Sequence, residues 1–158
     1  MNFSHLKQTV FIRVWGFLKV PMIAWLRPNI IDMSDERVEV ALPLTRRSRN
    51  HLNSMYFGAL AAGADIAAGI TAIAEIEKSE EKISFVFSSM KADFLKRAEG
   101  KTHFVCEEPK KVADLVNACK KSKVREYGTV KVTAYCPKKL GDEPVATFEM
   151  GMSVKVKA

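Results

Sequence analysis

Residues 50–69, "NHLNSMYFGALAAGADIAAG", turn after Phe57 into a run of small residues that holds a single carboxylate, Asp65. The apolar character continues through Ile70, Ala72, Ile73 and Ala74, so the stretch predicts a long buried helix. A charge in such a helix costs several kcal/mol unless something pairs with it or uses it. The residues three and four positions from Asp65 are Ala61, Ala62, Ala68 and Gly69, which leaves room for a ligand beside the carboxylate. Apolar surroundings also raise a carboxyl pKa, as suits a base near neutrality. Gly63 and Gly69 each cost the helix about 1 kcal/mol of propensity. A sheet wrapped closely around the helix would offset that through burial.

Strand patterns surround this helix. Upstream, "RVEVALPLT" (37–45) alternates Val38, Val40, Leu42 and Leu44 with Arg37, Glu39, Ala41 and Pro43, a half-buried strand whose Pro suggests an edge or an irregular end. Downstream of the charged turn "EKSEEK", "KISFVFSSMKADFL" (82–95) gives a long strand with Ile83, Phe85 and Phe87 on one face and a register change at Ser88-Ser89. "KTHFVCEE" is a further strand, and Pro109–Lys123 has helical spacing, with Pro in the first turn and lysines at the end. "EYGTVKVTAYC" and "VATFEMGMSVKV" are two more strands joined by the turn "PKKLGDEP". With short connections, successive strands are expected to pair antiparallel, which makes an α+β domain of one sheet and one dominant helix.

The N-terminal segment is a helix expected to end or kink near Pro21. Phe3, Leu6, Val10, Phe11, Val14, Phe17 and Leu18 fall on one side, and His5, Gln8, Thr9, Arg13 and Lys19 on the other. Lys7, Arg13 and Lys19 interrupt it too often for a membrane span or a signal peptide. Attachment to a membrane surface is open to such a helix, but packing of the apolar side onto the domain's own sheet is the commoner fate and the expectation here.

The totals narrow the function classes. At 158 residues, 47% hydrophobic and 27% charged, the chain is expected to form one domain that is neither disordered nor membrane-embedded. Cys106, Cys119 and Cys136 show no metal-binding spacing and read as core, which argues for a reducing, cytoplasmic setting. His5, His51 and His103 show no metal-ligand spacing either, so no metal site is expected. The formal charge of +7 favours anionic partners. The basic groups lack interleaved aromatics, so nucleic acid is not the expected one.

The element order, with "N-x-x-x-S-x-x-x-G-x-L-x-x-x-A-D" from Asn50 to Asp65, resembles the hotdog superfamily, in which a curved antiparallel sheet wraps a long central helix. It looks closest to the PaaI-type acyl-CoA thioesterases and an uncharacterised branch related to them. "MKADFLKRAEG" (90–100) is similar to that family's strand after the helix. The resemblance implies a hotdog core over 30–158, preceded by a helical extension over 1–27. It also implies that Asp65 acts as general base or nucleophile on a thioester. The Phe57-Gly58 amides would bind the substrate carbonyl oxygen, and Asn50 would help place the carbonyl or the water. Where the family shows His-Gly-Gly or Phe-Gly-Gly this chain has Tyr56-Phe57-Gly58, and Phe57 narrows the approach. Ser88 and Ser89 flank the position of a family Ser or Thr that orients water. Tyr56 is expected in the pocket wall, and Arg49, Lys96 and Arg97 are the candidates for coenzyme A phosphates.

Geometry adds a constraint. From Gly58 to Asp65 is roughly 10 Å along a helix, too far for one carbonyl group to meet both. A site using both therefore needs the helix start of one subunit and the Asp of another. Together with this constraint, the resemblance implies a dimeric or tetrameric thioesterase acting on an acyl-CoA or acyl-carrier-protein thioester, with coenzyme A as part of the substrate and no separate cofactor. The alternative is an acyl-binding hotdog module without turnover.

Overall fold

The computed structural model describes residues 3–157, with side chains from His5 onward. Pro21 divides the N-terminal segment into α1 (Phe3–Lys19) and α2 (Pro21–Leu26), because Pro fits a helix start and not a helix interior. Then follow β1 (Asn29–Met33), β2 (Val38–Leu42), α3 (Phe57–Glu77), β3 (Ile83–Phe94), β4 (Thr102–Cys106), α4 (Pro109–Ser122), β5 (Glu126–Tyr135), α5 (Pro137–Leu140) and β6 (Pro144–Val156). The short elements α2, β1 and α5 carry too few residues for a periodic pattern, and sequence reading missed them.

The six strands form one antiparallel sheet in the order β1-β2-β4-β5-β6-β3. Successive strands do not all pair as expected. β3 leaves β4 and lies at the edge, bonded among the described residues to β6 alone. β2 is internal, and Pro43 falls just past its last residue, so the Pro marks an end and not an edge. The register change expected at Ser88-Ser89 is present as a bulge between Phe87 and Ser89.

The central helix α3 is buried along most of its length, with Ala59, Ala62, Ala64, Ala67, Ala68 and Ala72 all in the core. Its small residues admit the sheet. A Cβ on Gly63 would stand 2.3 Å from the Phe104 ring of β4, and one on Gly69 would stand 3.3 Å from Phe87 of β3. α4 turns Val112, Val116 and Cys119 inward, and the three cysteines are buried and free.

α1 packs against the domain through the opposite side from the one expected. Thr9, Ile12 and Gly16 face inward, while Leu6, Val10, Phe11, Val14, Phe17 and Leu18 are exposed. The reason is local. A Cβ on Gly16 would meet Ile23 at 3.0 Å, so the two helices touch there; the Ile30 amide donates to Thr9 Oγ1 at 2.9 Å. Arg13 adds bonds from Nε to the Pro28 carbonyl (2.9 Å) and from Nη2 to Asn29 Oδ1 (2.8 Å). These polar anchors orient the helix, and amphipathic spacing carries no information about them.

Candidate functional site

Asp65 of α3 opens onto a cavity of about 290 Å³ between α1, α2, α3 and β3. That volume is near the lower end for sites that hold a drug-sized molecule. Asp65, Gly69, Ile73 and Ile76 follow one another along the α3 side at helical spacing. Ile12 and Trp15 of α1, Val20 between the helices and Ile23 of α2 form one wall, and Phe85 and Phe87 form the wall from β3. The slot is apolar except for Asp65 and, three helical turns further on, Glu77.

Asp65 is half-buried and has no hydrogen bond or ion pair among the described residues. Desolvation alone raises its carboxyl from 3.8 to about 6. A structural carboxylate would be paired; this one is held ready to exchange a proton near neutrality. The space beside it is narrower than its small neighbours suggest, because Phe87 packs onto Gly69 while Ala62 and Ala68 are covered by the core.

The start of α3 is a second polar feature. Tyr56 precedes the helix in extended conformation and gives it no side-chain cap. Its carbonyl accepts from Ala59 and Leu60, whereas the amides of Phe57 and Gly58 donate to nothing among the described residues. Two free N–H groups at a helix N-terminus can receive a developing negative charge. The Tyr56 ring meets Phe57 in a tilted contact at 4.6 Å between centroids, and Phe57 is 60% exposed and lies 6.4 Å from Phe94. A Cβ on Gly58 would stand 2.5 Å from the Tyr56 ring, so a larger residue there displaces that exposed ring.

Asn50 organises the loop before the helix. Its Oδ1 accepts from the amides of Leu52 (2.9 Å) and Ser54 (3.2 Å) and from the Ser54 hydroxyl (3.2 Å). That carbonyl is spent within the loop, and the Asn50 side-chain NH2 is the group left for a ligand. Ser88 and Ser89 are exposed at the bulge against Gly151. Lys96 is engaged by Glu143, while Arg49 and Arg97 are exposed.

Within one chain, none of Arg49, Asn50, Tyr56, Phe57, Gly58, Ser88, Ser89, Lys96 and Arg97 lines the cavity at Asp65. The sequence pointed to Asp65 through its isolation. It did not point to Ile12, Trp15, Val20 and Ile23, because the expected packing turned those helices the wrong way. The signal that could have found them is Gly16, the small residue that lets α1 and α2 meet.

Comparison with solved structures agrees with the topology. A protein of unknown function from Chlorobaculum tepidum superposes with a TM-score of 0.79 at 11% identity, covering 94% of this chain and 94% of its own. A thioesterase family protein from Silicibacter pomeroyi gives 0.66 at 20% identity over 94% and 99%. A thioesterase from Haemophilus influenzae gives 0.63 at 11% over 90% and 88%. Likeness at these identities establishes the fold, and the fold is the hotdog. Among curated proteins none matches the chain significantly. The family described as Domain of unknown function (DUF4442) matches residues 9–154, from within α1 into β6, and the chain belongs to it.

Proposed function

We propose that the protein hydrolyses an acyl thioester, of coenzyme A or of an acyl carrier protein, at a site shared by two subunits. The observation that carries this reading is Asp65: a carboxylate without a partner, titrating near neutrality, on the wall of an apolar slot. The slot would take the acyl chain along Gly69, Ile73 and Ile76. Asp65 would activate water or attack the thioester carbonyl, and the Phe57 and Gly58 amides of a second subunit would receive the oxyanion.

The free edge of β3 supports the two-subunit arrangement. It offers twelve residues of strand with no neighbour on one side among the described residues, and Val86, Met90 and Phe94 are exposed along it. A long edge of this kind is a template for pairing with another chain. Structural relatives that are themselves thioesterases lend the reaction class.

The test is hydrolysis of short, medium, long and aromatic acyl-CoAs by the purified protein beside Asp65→Ala. A loss of at least about a hundredfold in a folded variant is expected for a positioned acid–base group. Tight binding of an acyl-CoA without turnover would favour the acyl-binding module, with Phe57 obstructing attack. Equal turnover by both proteins would remove Asp65 from the reaction.

A further inference from the structure

α1 and α2 leave many large apolar side chains on their outward side. The side turned to the domain is mixed: Ile12 of α1 and Ile23 and Leu26 of α2 are buried there, Thr9 and Arg13 make bonds, and His5 Nδ1 and Gln8 Oε1 are buried without a partner among the described residues. The side turned outward is made of Leu6, Val10, Phe11, Val14, Phe17 and Leu18, continued on α2 by Met22 and Trp25. Phe17 is 71% exposed and Leu18 69%. A contiguous apolar face of this extent marks an interaction surface.

Charge identifies what covers it. The chain has no acidic residue before Asp32, while Lys7, Arg13, Lys19 and Arg27 fall within that segment. Lys7 and Lys19 are exposed on α1, Arg27 ends α2, and Arg47 lies 4.4 Å over the Trp25 ring from a neighbouring loop that also holds Arg46. An apolar stripe with Lys7 at its N-terminal end, Lys19 and Arg27 near its other end and an exposed Trp matches a bilayer interface with anionic headgroups. A second copy fits poorly, since face-to-face pairing would set Lys7, Lys19 and Arg27 against their counterparts with no acid in the segment to answer them.

We infer that α1 and α2 dock the protein on an anionic membrane surface, with the apolar face entering the acyl boundary and the basic residues at headgroup level. The inference stands apart from the thioester reading, because it concerns the outward face and not Asp65. It does give the slot an address: Ile12, Trp15 and Ile23 wall the slot from the same two helices.

The experiment is co-sedimentation of the full chain with phosphatidylcholine vesicles, with and without a quarter of phosphatidylglycerol, comparing wild type, F17E/L18E and K7E/K19E. All four positions are exposed, so circular dichroism is expected to show native folding. Wild type is expected to bind the anionic vesicles, F17E/L18E to lose at least about tenfold in partitioning, and K7E/K19E to bind more weakly and with less salt dependence. Failure of wild type to bind, or equal binding by F17E/L18E, would overturn the inference. So would a fall in oligomer size on F17E/L18E substitution, which would assign the face to a second copy.

Discussion

Asp65 holds its proton more tightly in the folded protein than in the unfolded chain, about 6 against 3.8. Its contribution to stability is therefore fully present below the unfolded value and is lost as pH rises through the folded one. At about 1.4 kcal/mol per unit, a two-unit shift corresponds to a penalty on the order of 2–3 kcal/mol above neutrality. Asp65→Asn is expected to be more stable than wild type at pH 8, with the advantage vanishing below about pH 4; urea titrations across pH measure it. If Asp65 is the base, kcat/KM rises with pH through about 6, and Asp65→Asn abolishes that limb together with turnover. Phe57 offers a separate test of the helix amides. Phe57→Pro deletes one N–H at a position where Pro suits the helix, and Tyr56 already has the extended conformation that a following Pro requires. A rate loss of about a hundredfold is expected for Phe57→Pro and not for Phe57→Ala, which keeps the amide.

At the scale of the element, α3 and its glycines divide into two kinds. Phe104 is fully buried and cannot yield, so Gly63→Ala forces overpacking and is expected to cost about 1–3 kcal/mol despite better helix propensity. Phe87 is half-buried and can shift by a few tenths of an ångström. Gly69→Ala is therefore expected to be neutral or stabilising by up to about 1 kcal/mol while narrowing the slot; denaturant midpoints and acyl-CoA affinity read the two effects. The sequence made α3 legible because its composition has one physical use, close approach of a sheet. It made β3, β5 and β6 legible through alternation over ten or more residues. The orientation of α1 was not legible: an apolar stripe shows that a face exists, whereas Gly16, Thr9 and Arg13 decide which way it points. The position of β3 was hidden as well, since strand order follows from pairing across the whole chain and not from adjacency.

For the whole molecule, a shared site makes a prediction that no monomer meets. On the proposed arrangement Asp65→Ala and Phe57→Pro would damage the same composite site from opposite subunits, and each homodimer would be inactive. Mixed after unfolding and refolding together, they form heterodimers with one intact site of two, and about a quarter of wild-type activity is expected to return. Mass determination by light scattering should show the dimer, and no recovery on mixing would place the Asp and the amides in separate functions. The sheet order has a consequence of another kind, in the timing of synthesis. Among the described residues β3 bonds to β6 alone, from Phe94 with Ala146 to Ile83 with Val156, and the chain between them builds β4, α4 and β5 first. A strand bearing Phe85 and Phe87 therefore waits beside the ribosome without a partner until β6 has emerged, a late and non-local closure of the kind that slows folding and invites chaperones.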